Sequence, residues 1–456
     1  MQCVYLDYLE RLSTTNEEDF NGLMQRAVNK INTGHAEFTR RDSKCDLRTI
    51  KYMFIDEFQD FSELFYKLVS AIRKLNQKIE LFCVGDDWQA INGFAGSDLI
   101  FFKNFDRHFG NAKRLHMTTN YRSQRSIVKA GNILMSDLGK PATSNKTTAG
   151  ILAVAYLDNF ERSPVEDFHN DFITPAVLRL AQQFLKGNQD IVLLSRINHV
   201  AEHKGKNEEE TGDETVRGIG IENFEKLIRS YLPEELRERI SVSTVHKYKG
   251  LERKTVIILD AIENHYPLIH PDWIFTKVFG EDLESIILAE RRLFYVAMTR
   301  AVDQLIIITR ATEISPFFEE LISSRHVPYS IRWDRITPLT DGEASDKYLV
   351  KISNMKERGS EPTYNIKKEL KESYYKWKGD EKYWWKTFPI ESFNIETIKS
   401  NTWARKADGI LVQIFDGTDT NCLASYTVES NRWECEFDNL EASDSKEGNT
   451  AVSILN

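Results

Sequence analysis

The sequence lacks the features that would assign it to a membrane-spanning or disulfide-rich class. No apolar run reaches the roughly eighteen residues that a membrane-spanning helix needs. The N-terminal stretch MQCVYLDYLERL has neither the basic nor the apolar region of a signal peptide. The five cysteines form no CxxC pair, which argues against a zinc site or a disulfide framework and favours a reducing cytosol. We therefore expect a cytoplasmic protein with no membrane partner.

The sequence also lacks a phosphate-binding loop of the form GxxxxGK(S/T). Gly139 and Lys140 are followed by Pro141, with no upstream glycine at the required spacing. The net charge of −9 argues against a protein that coats nucleic acid nonspecifically, although it does not exclude a local basic channel. With 41% hydrophobic and 28% charged residues, the 456-residue chain has a globular composition and room for about two to four domains.

The stretch from Tyr52 to Ser97 predicts a β-α-β unit. Two short apolar runs, in YMFIDEFQD and IELFCVG, end in carboxylates, and an amphipathic stretch separates them, with Leu64, Leu68, Ile72 and Leu75 at helical spacing. Ligands meet such a unit at the carboxyl ends of its strands. That edge carries five polar side chains: Asp56, Glu57, Asp86, Asp87 and Gln89.

These side chains indicate a metal site. A divalent metal could be held through Asp56, with Glu57 free to act as a base toward water. The alternative is a solvated acidic turn after a strand. That alternative is weakened by the second polar strand end, which follows at the spacing of a neighbour in the sheet.

Cations occupy three later junctions. Arg122, between a short strand and a helix, either caps or pairs locally or recognises phosphate. Arg300, near the end of a helix, is either a favourable C-terminal cation or an arginine finger. Between two strands, a tight turn or a phosphate- or nucleic-acid-binding loop carries Thr244, His246, Lys247, Lys249, Gly250 and Glu252.

The sequence patterns at the two ends of the chain are less specific for a function. Residues 1–50 are expected to be polar and helical, with a helix in NEEDFNGLMQRAVNKI capped by Asp19 or Asn16 and no buried strand before Tyr52. From about residue 333 the composition changes, and an acidic tail begins at Glu436. The aromatics there either stack on bases or form the core of a small module; they are Tyr375, Trp377, Tyr383, Trp384 and Trp385, interleaved with lysines.

Five stretches in order resemble the motor motifs of UvrD/Rep-like superfamily-1 DNA helicases: IDEFQD, VGDDWQAINGFAGSD, TTNYRS, STVHKYKGLE and YVAMTRA. The resemblance covers Ile55 to Thr309. It implies an α/β fold of tandem RecA-like parallel-sheet motor domains, the first one incomplete, with a small α+β aromatic-rich module at the C-terminus. The implied domains are 1–115, 116–325 with a reduced insertion near 200–240, and 333–456.

The resemblance also implies ATP and Mg²⁺ as cofactors. Asp56 would hold Mg²⁺ through water, and Glu57 would activate the water that attacks the γ-phosphate. Gln89 would sense that phosphate, and Arg122 and Arg300 would contact it from the second motor domain. This fits phosphoryl transfer, which needs positioning and charge neutralisation more than covalent chemistry.

Further roles follow from the same motifs. For the base and ribose of ATP, the implied residues are Tyr121 (stacking on adenine), Glu252 (hydrogen-bonding the ribose) and Gly250 (shaping its turn). For single-stranded DNA or a duplex/single-strand junction, they are Phe94 (stacking on a base), Thr244 and His246 (contacting the backbone). Trp88, Asn92 and Ala95 depart from the family's usual Asp, Tyr and Arg, so we expect a thinner single-strand platform.

The absent phosphate loop is the main departure from the family. The loop and its strand should precede residue 1, and without them residues 1–115 should expose an apolar seam. Three accounts compete: a C-terminal piece of a longer protein, a chain paired with another that supplies the loop, or a degenerate relative that binds DNA without hydrolysis. We therefore expect an ATP-dependent 3′ to 5′ DNA helicase or translocase that is inactive as this chain alone. The alternative is a non-catalytic DNA-binding or regulatory subunit of a helicase-type complex.

Overall fold

The structure is a computed structural model. It describes residues 2–93, 96–162, 173–186, 189–200, 219–274, 282–327, 329–336, 347–355, 361–373, 375–379, 381–390, 393–416, 421–430 and 432–440. The chain divides into two compact units. The first unit comprises Met1–Val154 and Thr244–Tyr329, and the second comprises Ala155–Ser243 and Ser330–Asn456.

The N-terminal third of the chain alternates helices with short strands. In order they are α1 (Gln2–Thr15), α2 (Phe20–Asn32), β1 (Glu37–Arg40), β2 (Ser43–Asp46), β3 (Tyr52–Ile55), α3 (Glu63–Leu75), β4 (Glu80–Cys83), α4 (Ile100–Lys103), α5 (Phe105–Phe109), β5 (Thr119–Asn120), α6 (Arg125–Leu134), β6 (Thr143–Ser144) and β7 (Ile151–Tyr156).

The middle of the chain continues this alternation. Its elements are α7 (Ile173–Lys186), β8 (Ile191–Ser195), β9 (His199–Val200), β10 (Ile219–Gly220), α8 (Ile221–Ser230), α9 (Glu234–Arg237), β11 (Ile240–Thr244), β12 (Arg253–Ile258), α10 (Leu283–Met298), β13 (Ala301–Thr309), α11 (Pro316–Ser323) and β14 (Tyr329–Ser330).

The C-terminal part is rich in longer strands. Its elements are β15 (Lys347–Asn354), α12 (Glu361–Asn365), α13 (Lys367–Glu372), β16 (Lys376–Lys378), β17 (Tyr383–Pro389), α14 (Ile395–Lys399), α15 (Thr402–Lys406), β18 (Ile410–Asp416), β19 (Cys422–Glu429) and β20 (Arg432–Asp438). Among the described residues, no helix is long and apolar enough to cross a membrane.

The predicted β-α-β unit is confirmed. Strands β3 and β4 pair in parallel with Ile55 opposite Cys83, so the two strands end side by side. The connecting helix α3 is N-capped by the Ser62 hydroxyl, which accepts from the N–H of Phe65. One face of the pair packs on an aromatic cluster built around Phe58, Phe61, Phe101 and Phe109. The parallel register explains why both sets of polar residues reach the same edge.

The other face of β3 and β4 is open. Its apolar side chains are exposed, with Phe54 at 72% and Phe82 at 57%, and their rings lie 5.7 Å apart. Tyr52 and Val84 extend the same exposed face. The apolar seam expected for residues 1–115 is therefore present.

Residues 1–50 contain more than the expected helices. Helix α2 is present, and the Asp19 carboxylate caps it by accepting from the Gly22 N–H at 2.6 Å. However, β1 and β2 form an exposed antiparallel hairpin that the sequence interpretation missed. Its turn residues Arg41 and Asp42 both have positive φ. This conformation is typically signalled by Asn-Gly or Asp-Gly, so Arg-Asp gave little indication of it.

A second parallel pair in the first unit positions the later motifs. Strand β12 pairs in parallel with β13, and the helix between them, α10, is N-capped by the Asp282 carboxylate. Residues Val256, Ile257 and Ile258 of β12 are fully buried. Helix α10 ends at Met298 and β13 begins at Ala301, so Arg300 lies at the junction of the two elements. The mixed α/β class with parallel strands is therefore as expected.

The C-terminal strands belong to the second unit. They form an antiparallel sheet in the order β16-β17-β15-β18-β19-β20. Four of the five aromatics that could have stacked on bases are buried, namely Tyr375, Tyr383, Trp384 and Trp385, whereas Trp377 is 43% exposed. Buried rings cannot stack on a nucleic acid, so those four have the structural role.

Candidate functional site

The first part of the candidate site is the turn that follows β3. The Asp56 Oδ1 accepts the N–H of Glu57 at 2.8 Å, and both carboxylates are exposed. Glu57 has φ of 50° and ψ of 41°, which lies in the left-handed region. Such a conformation costs a non-glycine residue on the order of 1–3 kcal/mol and clusters at functional sites. The left-handed backbone at Glu57 follows directly on the end of β3 at Ile55.

Gln59 joins this turn to the end of β4. Its side-chain amide donates to the Glu57 carboxylate, and its carbonyl oxygen accepts the N–H of Asp86 at 2.9 Å. Gln59 itself is 1% exposed. The amide therefore orients Glu57 and fixes the distance between the two strand ends.

The turn after β4 holds Gln89 in a defined orientation. The residues Asp87–Gln89 form one 3-10 turn. The Asp86 carboxylate caps it, accepting from the Trp88 N–H at 3.0 Å and from the Gln89 side-chain amide at 2.6 Å. The remaining polar atom of the Gln89 side chain, Oε1, accepts from Nη2 of Arg300 at 3.1 Å.

Arg300 is buried, with only 1% exposure. Its Nε donates to the carbonyl of Val296 at 3.0 Å and its Nη1 to the carbonyl of Leu251 at 3.3 Å. Burial, followed by the nearby charge of Arg122, lowers the pKa of Arg300 from 12.5 to about 10. The guanidinium therefore remains charged at neutral pH. Arg300 bonds to the last turn of α10, as expected of a cation at a helix C-terminus, and it also reaches Gln89.

Arg122 and Glu252 form an ion pair, in which Nε of Arg122 donates to the Glu252 carboxylate. The backbone N–H of Arg122 is held by the Asn120 side chain at 3.0 Å. The preceding ring, Tyr121, is 64% exposed and presents a face on which a planar group could stack. Arg122 is thus paired with one of the predicted nucleotide-binding residues.

The loop from Thr244 to Glu252 carries the predicted DNA contacts. Thr244 is buried at 6%, and its hydroxyl accepts the N–H of Lys247 at 3.3 Å, while His246 is half-buried. Gly250 has φ of 85°, and a Cβ there would meet nothing within 4 Å. Its glycine is therefore required by the backbone conformation rather than by crowding.

Lys249 does not extend freely from this loop. Its Nζ lies 2.5 Å from Oδ2 of Asp60, and the two side chains are only 12% and 21% exposed. Asn92 donates to the same oxygen at 3.0 Å. The sequence allowed Lys249 to approach a phosphate or nucleic acid, whereas the structure pairs it with the turn that follows Glu57.

The first unit thus contains ten of the eleven predicted site residues, and the eleventh, Phe94, lies outside the described residues. Direct contacts between predicted residues include Gln89 with Arg300, Arg122 with Glu252, and the Glu57 N–H with Asp56. The sequence interpretation missed Gln59, the pair of Asp60 with Lys249, and the contact of Trp88 with Tyr295. Only Trp88 carried a signal, as a departure from the family pattern.

The residues present fit Mg²⁺ held through water. Among the described residues, no group of three or more His, Cys, Asp or Glu side chains could hold a metal ion. Asp56 is exposed, and only its Oδ1 is used by the Glu57 N–H. Mg²⁺ keeps several waters and commonly takes one or two carboxylates together with substrate phosphates. The second carboxylate oxygen of Asp56 is therefore available to hold Mg²⁺ through a water molecule.

Comparison with known proteins identifies the family. The model of the UvrD/REP helicase N-terminal domain matches residues 1–110, and that of the UvrD-like helicase C-terminal domain matches residues 189–312. Together they match just over half of the chain. The chain belongs to the UvrD/Rep-like helicase family.

Individual relatives of this UvrD/Rep-like chain are distant. DNA helicase IV of Escherichia coli K12 is 28% identical over 321 residues, covering 68% of this chain and 40% of the relative. A probable DNA helicase of Mycoplasma pneumoniae is 24% identical over 327 residues, covering 70% and 55%. The chain thus spans about half the length of these relatives or less. The C-terminal domain of a possible DNA helicase from Lactobacillus plantarum WCFS1 covers 46% of the chain at 16% identity, with a TM-score of 0.27.

Proposed function

We propose that this UvrD/Rep-like chain is part of an ATP-dependent DNA helicase or translocase that moves 3′ to 5′. One observation carries the proposal: the hydrogen bond of 3.1 Å between Gln89 and the buried Arg300. It joins the turn that follows β4, the strand paired with β3, to the arginine of the YVAMTRA motif. In the proposed mechanism this bond couples the glutamine that senses the γ-phosphate to a cation that contacts the same phosphate.

Glu57 is the proposed general base. Its carboxylate is exposed and is oriented by the Gln59 amide, so one face can accept a proton from water. Bound Mg²⁺, held by Asp56 through water, would neutralise phosphate charge. The arginines Arg122 and Arg300 would stabilise charge on the γ-phosphoryl oxygens, because a guanidinium fork matches their geometry.

The nucleotide-binding groups are paired with each other in this structure. Arg122 is engaged by Glu252, and Gln89 by Arg300. We propose that ATP binding exchanges these partners. Arg122 would leave Glu252 for a phosphate oxygen, and Glu252 would then accept from the ribose while Tyr121 stacks on the adenine. The exchange exposes no uncompensated charge, because each group gains a ligand partner as it loses a protein partner.

Single-stranded DNA, or a junction of duplex and single strand, is the proposed polymer substrate. Thr244 and His246 would contact its backbone, and Phe94 would stack on a base. The support is positional: the loop that carries Thr244 is tied through Lys249 to Asp60. Asp60 lies three residues after Glu57, and its N–H bonds to the Glu57 carbonyl at 2.8 Å. DNA at this loop could therefore influence the base.

We further propose that a phosphate-binding segment completes the motor and that the 456 residues alone hydrolyse no ATP. None of them forms a GxxxxGK(S/T) loop. The exposed apolar face formed by Tyr52, Phe54, Phe82 and Val84 is where such a segment would add. The segment could lie on the same polypeptide or on another chain. The domain limits 1–115, 116–325 and 333–456 and a cytoplasmic location belong to the same proposal.

The second candidate is a non-catalytic DNA-binding or regulatory subunit of a helicase-type complex. The observation in its favour is again the sequence, which offers no phosphate-binding lysine and glycine loop within its 456 residues. In this case the pairs formed by Arg122 with Glu252 and by Gln89 with Arg300 would be permanent structural contacts.

ATP hydrolysis separates the two candidates. We would measure phosphate release with and without single-stranded DNA, first for the chain alone and then for the chain joined to a phosphate-binding segment. The proposal predicts no turnover in the first case and DNA-stimulated turnover in the second. Turnover by the chain alone would remove the need for another segment. Absence of turnover in both, with DNA binding retained, would favour the subunit.

A further inference from the structure

Trp88 is a buried residue beside the candidate site. Its side chain is 6% exposed, and its ring meets that of Tyr295 edge-on, with centroids 5.3 Å apart and planes at 89°. Its Nε1 donates to the carbonyl of Leu138 at 3.2 Å. The indole therefore contacts helix α10 with its ring and the segment after α6 with its nitrogen.

Two glycines make room for these rings. A Cβ on Gly139 would lie 2.8 Å from Nε1 of Trp88 and 3.3 Å from its Cε2. A Cβ on Gly131 would lie 2.9 Å from Cε2 of Tyr295. The distances of 2.8 and 2.9 Å are shorter than those that real Cβ atoms show. The rings of Trp88 and Tyr295 can therefore approach these positions only because glycine has no side chain.

The same short turn carries Gln89. Trp88 and Gln89 are adjacent in the turn Asp87–Gln89, and the Asp86 carboxylate bonds to both, through the Trp88 N–H and the Gln89 side-chain amide. The indole holds the turn on α10, and Arg300 follows the C-terminus of that helix. A displaced Trp88 would therefore move Gln89 away from Arg300.

We propose that Trp88 is a positioning residue that holds Gln89 against Arg300 through its contacts with Tyr295 and Leu138. The consequence of this positioning, which is control of the geometry that senses the γ-phosphate, rests on the proposed function. The contacts of Trp88 do not depend on it. Trp88 stands where UvrD/Rep-like motifs usually have Asp, so this chain uses an aromatic contact at that position.

Amide hydrogen exchange on the full 456-residue chain, without nucleotide, tests the positioning directly. Trp88→Ala should accelerate exchange at residues 86–90 and 297–300 by at least roughly tenfold, because it removes the contacts that limit local opening. Trp88→Phe keeps a ring against Tyr295 but loses the bond to Leu138, so it should fall between the wild type and Trp88→Ala.

Gly139→Ala provides the specific test. In the wild-type background its Cβ would displace the indole and accelerate exchange at 86–90. In the Trp88→Ala background it should have no further effect, because its clash partner is gone. If Trp88→Ala does not fold, Trp88→Phe and Gly139→Ala carry the test.

Trp333 is the matched control. It is 5% exposed, its ring meets that of Phe160 edge-on, and its Nε1 donates to the Tyr156 carbonyl at 2.8 Å. Trp333→Ala removes the same two kinds of contact, a ring contact and an indole hydrogen bond, from the second unit. It should leave exchange at 86–90 and 297–300 unchanged. Equal acceleration by Trp333→Ala, or no acceleration by the Trp88 and Gly139 variants, would overturn the inference.

A kinetic measurement on the completed motor tests the consequence. Trp88→Ala should lower kcat about tenfold with KM for ATP nearly unchanged, and it should add nothing to Gln89→Ala, because both act through the same group. Additive losses in kcat would refute the role in catalysis. An inactive wild-type motor would instead refute the proposed function, and the exchange results would stand independently of it.

Discussion

Replacing Lys249 with methionine should loosen the turn that carries Glu57. The Nζ of Lys249 lies 2.5 Å from Oδ2 of Asp60, and both side chains are largely buried, at 12% and 21% exposure. The other oxygen, Oδ1, is buried and accepts no hydrogen bond from the residues that the structure describes. Methionine keeps the apolar stem of lysine but removes the charge. Among the described residues, the carboxylate would then keep one donor, the Asn92 amide at 3.0 Å.

The expected loss of stability follows from leaving the Asp60 carboxylate without its cation. Removing one partner of a buried ion pair costs about 3–5 kcal/mol. Because Asp60 is partly exposed and keeps Asn92, we expect the low end, about 3 kcal/mol. Asp60→Asn in the same chain as Lys249→Met leaves no unpaired charge. That double variant should therefore recover more than half of the loss.

Native-state amide exchange at residues 58–62 measures this change. A loss of about 3 kcal/mol corresponds to roughly a hundredfold faster exchange, if local opening limits the rate. The control is Lys67→Met, whose pair with Glu63 spans 3.8 Å at 50% and 64% exposure and should matter by less than about 0.5 kcal/mol. Exchange within threefold of the wild type in Lys249→Met, or a double variant as labile as the single one, would refute the reasoning.

Three further predictions concern other sites. Tyr121→Ala should raise KM for ATP in the completed motor by up to about tenfold, the worth of an aromatic contact, and leave thermal stability unchanged because the ring is 64% exposed; an unchanged KM would remove Tyr121 from adenine binding. Burial first and Asp86 second raise the pKa of Asp87 above 3.8, so the folded chain binds that proton more tightly and the unfolding free energy falls as pH rises above 3.8. Asp87→Asn should therefore stabilise the chain at pH 7, with the gain shrinking toward pH 4 in denaturant titrations; a gain independent of pH would contradict this. Trp384→Ala, at a site 4% exposed, should destabilise the second unit by about 3–5 kcal/mol, whereas Trp377→Ala, at 43% exposure, should not; similar melting temperatures for the two variants would contradict the burial argument.

Much of the fold follows from local sequence pattern. The β-α-β unit was predictable because apolar runs of strand length flank a segment with helical spacing, and the cap at Asp19 was predictable from its side chain. The hairpin of β1 and β2 was not, because its Arg41–Asp42 turn lacks the glycine that normally accompanies positive φ. Helix and strand periodicity carries no information about such a turn.

The candidate site was predictable in its members but not in its contacts. The motifs named Gln89 and Arg300, yet no sequence pattern indicates that their side chains meet across 211 positions. Lys249 could equally have faced a phosphate, and the pair with Asp60 depends on how two loops pack. Long-range side-chain pairs are set by tertiary packing, which short motifs do not encode.

The aromatic module shows the same limit. Interleaved Tyr, Trp and Lys suited both a base-stacking surface and a core. The pleat of β17 buries both faces, with Trp384 in one cluster and Tyr383 and Trp385 in another. Composition alone cannot distinguish a strand that is buried on both faces from an exposed base-stacking surface, because both are rich in aromatic residues.

The most direct test of the central claim is ATP hydrolysis by the completed motor with and without Glu57→Gln. The wild type should release phosphate faster when single-stranded DNA is added. Glu57→Gln removes the proposed base but keeps the side-chain shape, so it should abolish that release while a fluorescent ATP analogue still binds with unchanged affinity. Phosphate release by Glu57→Gln at the wild-type rate would contradict the assignment of this chain as the hydrolytic part of a helicase motor.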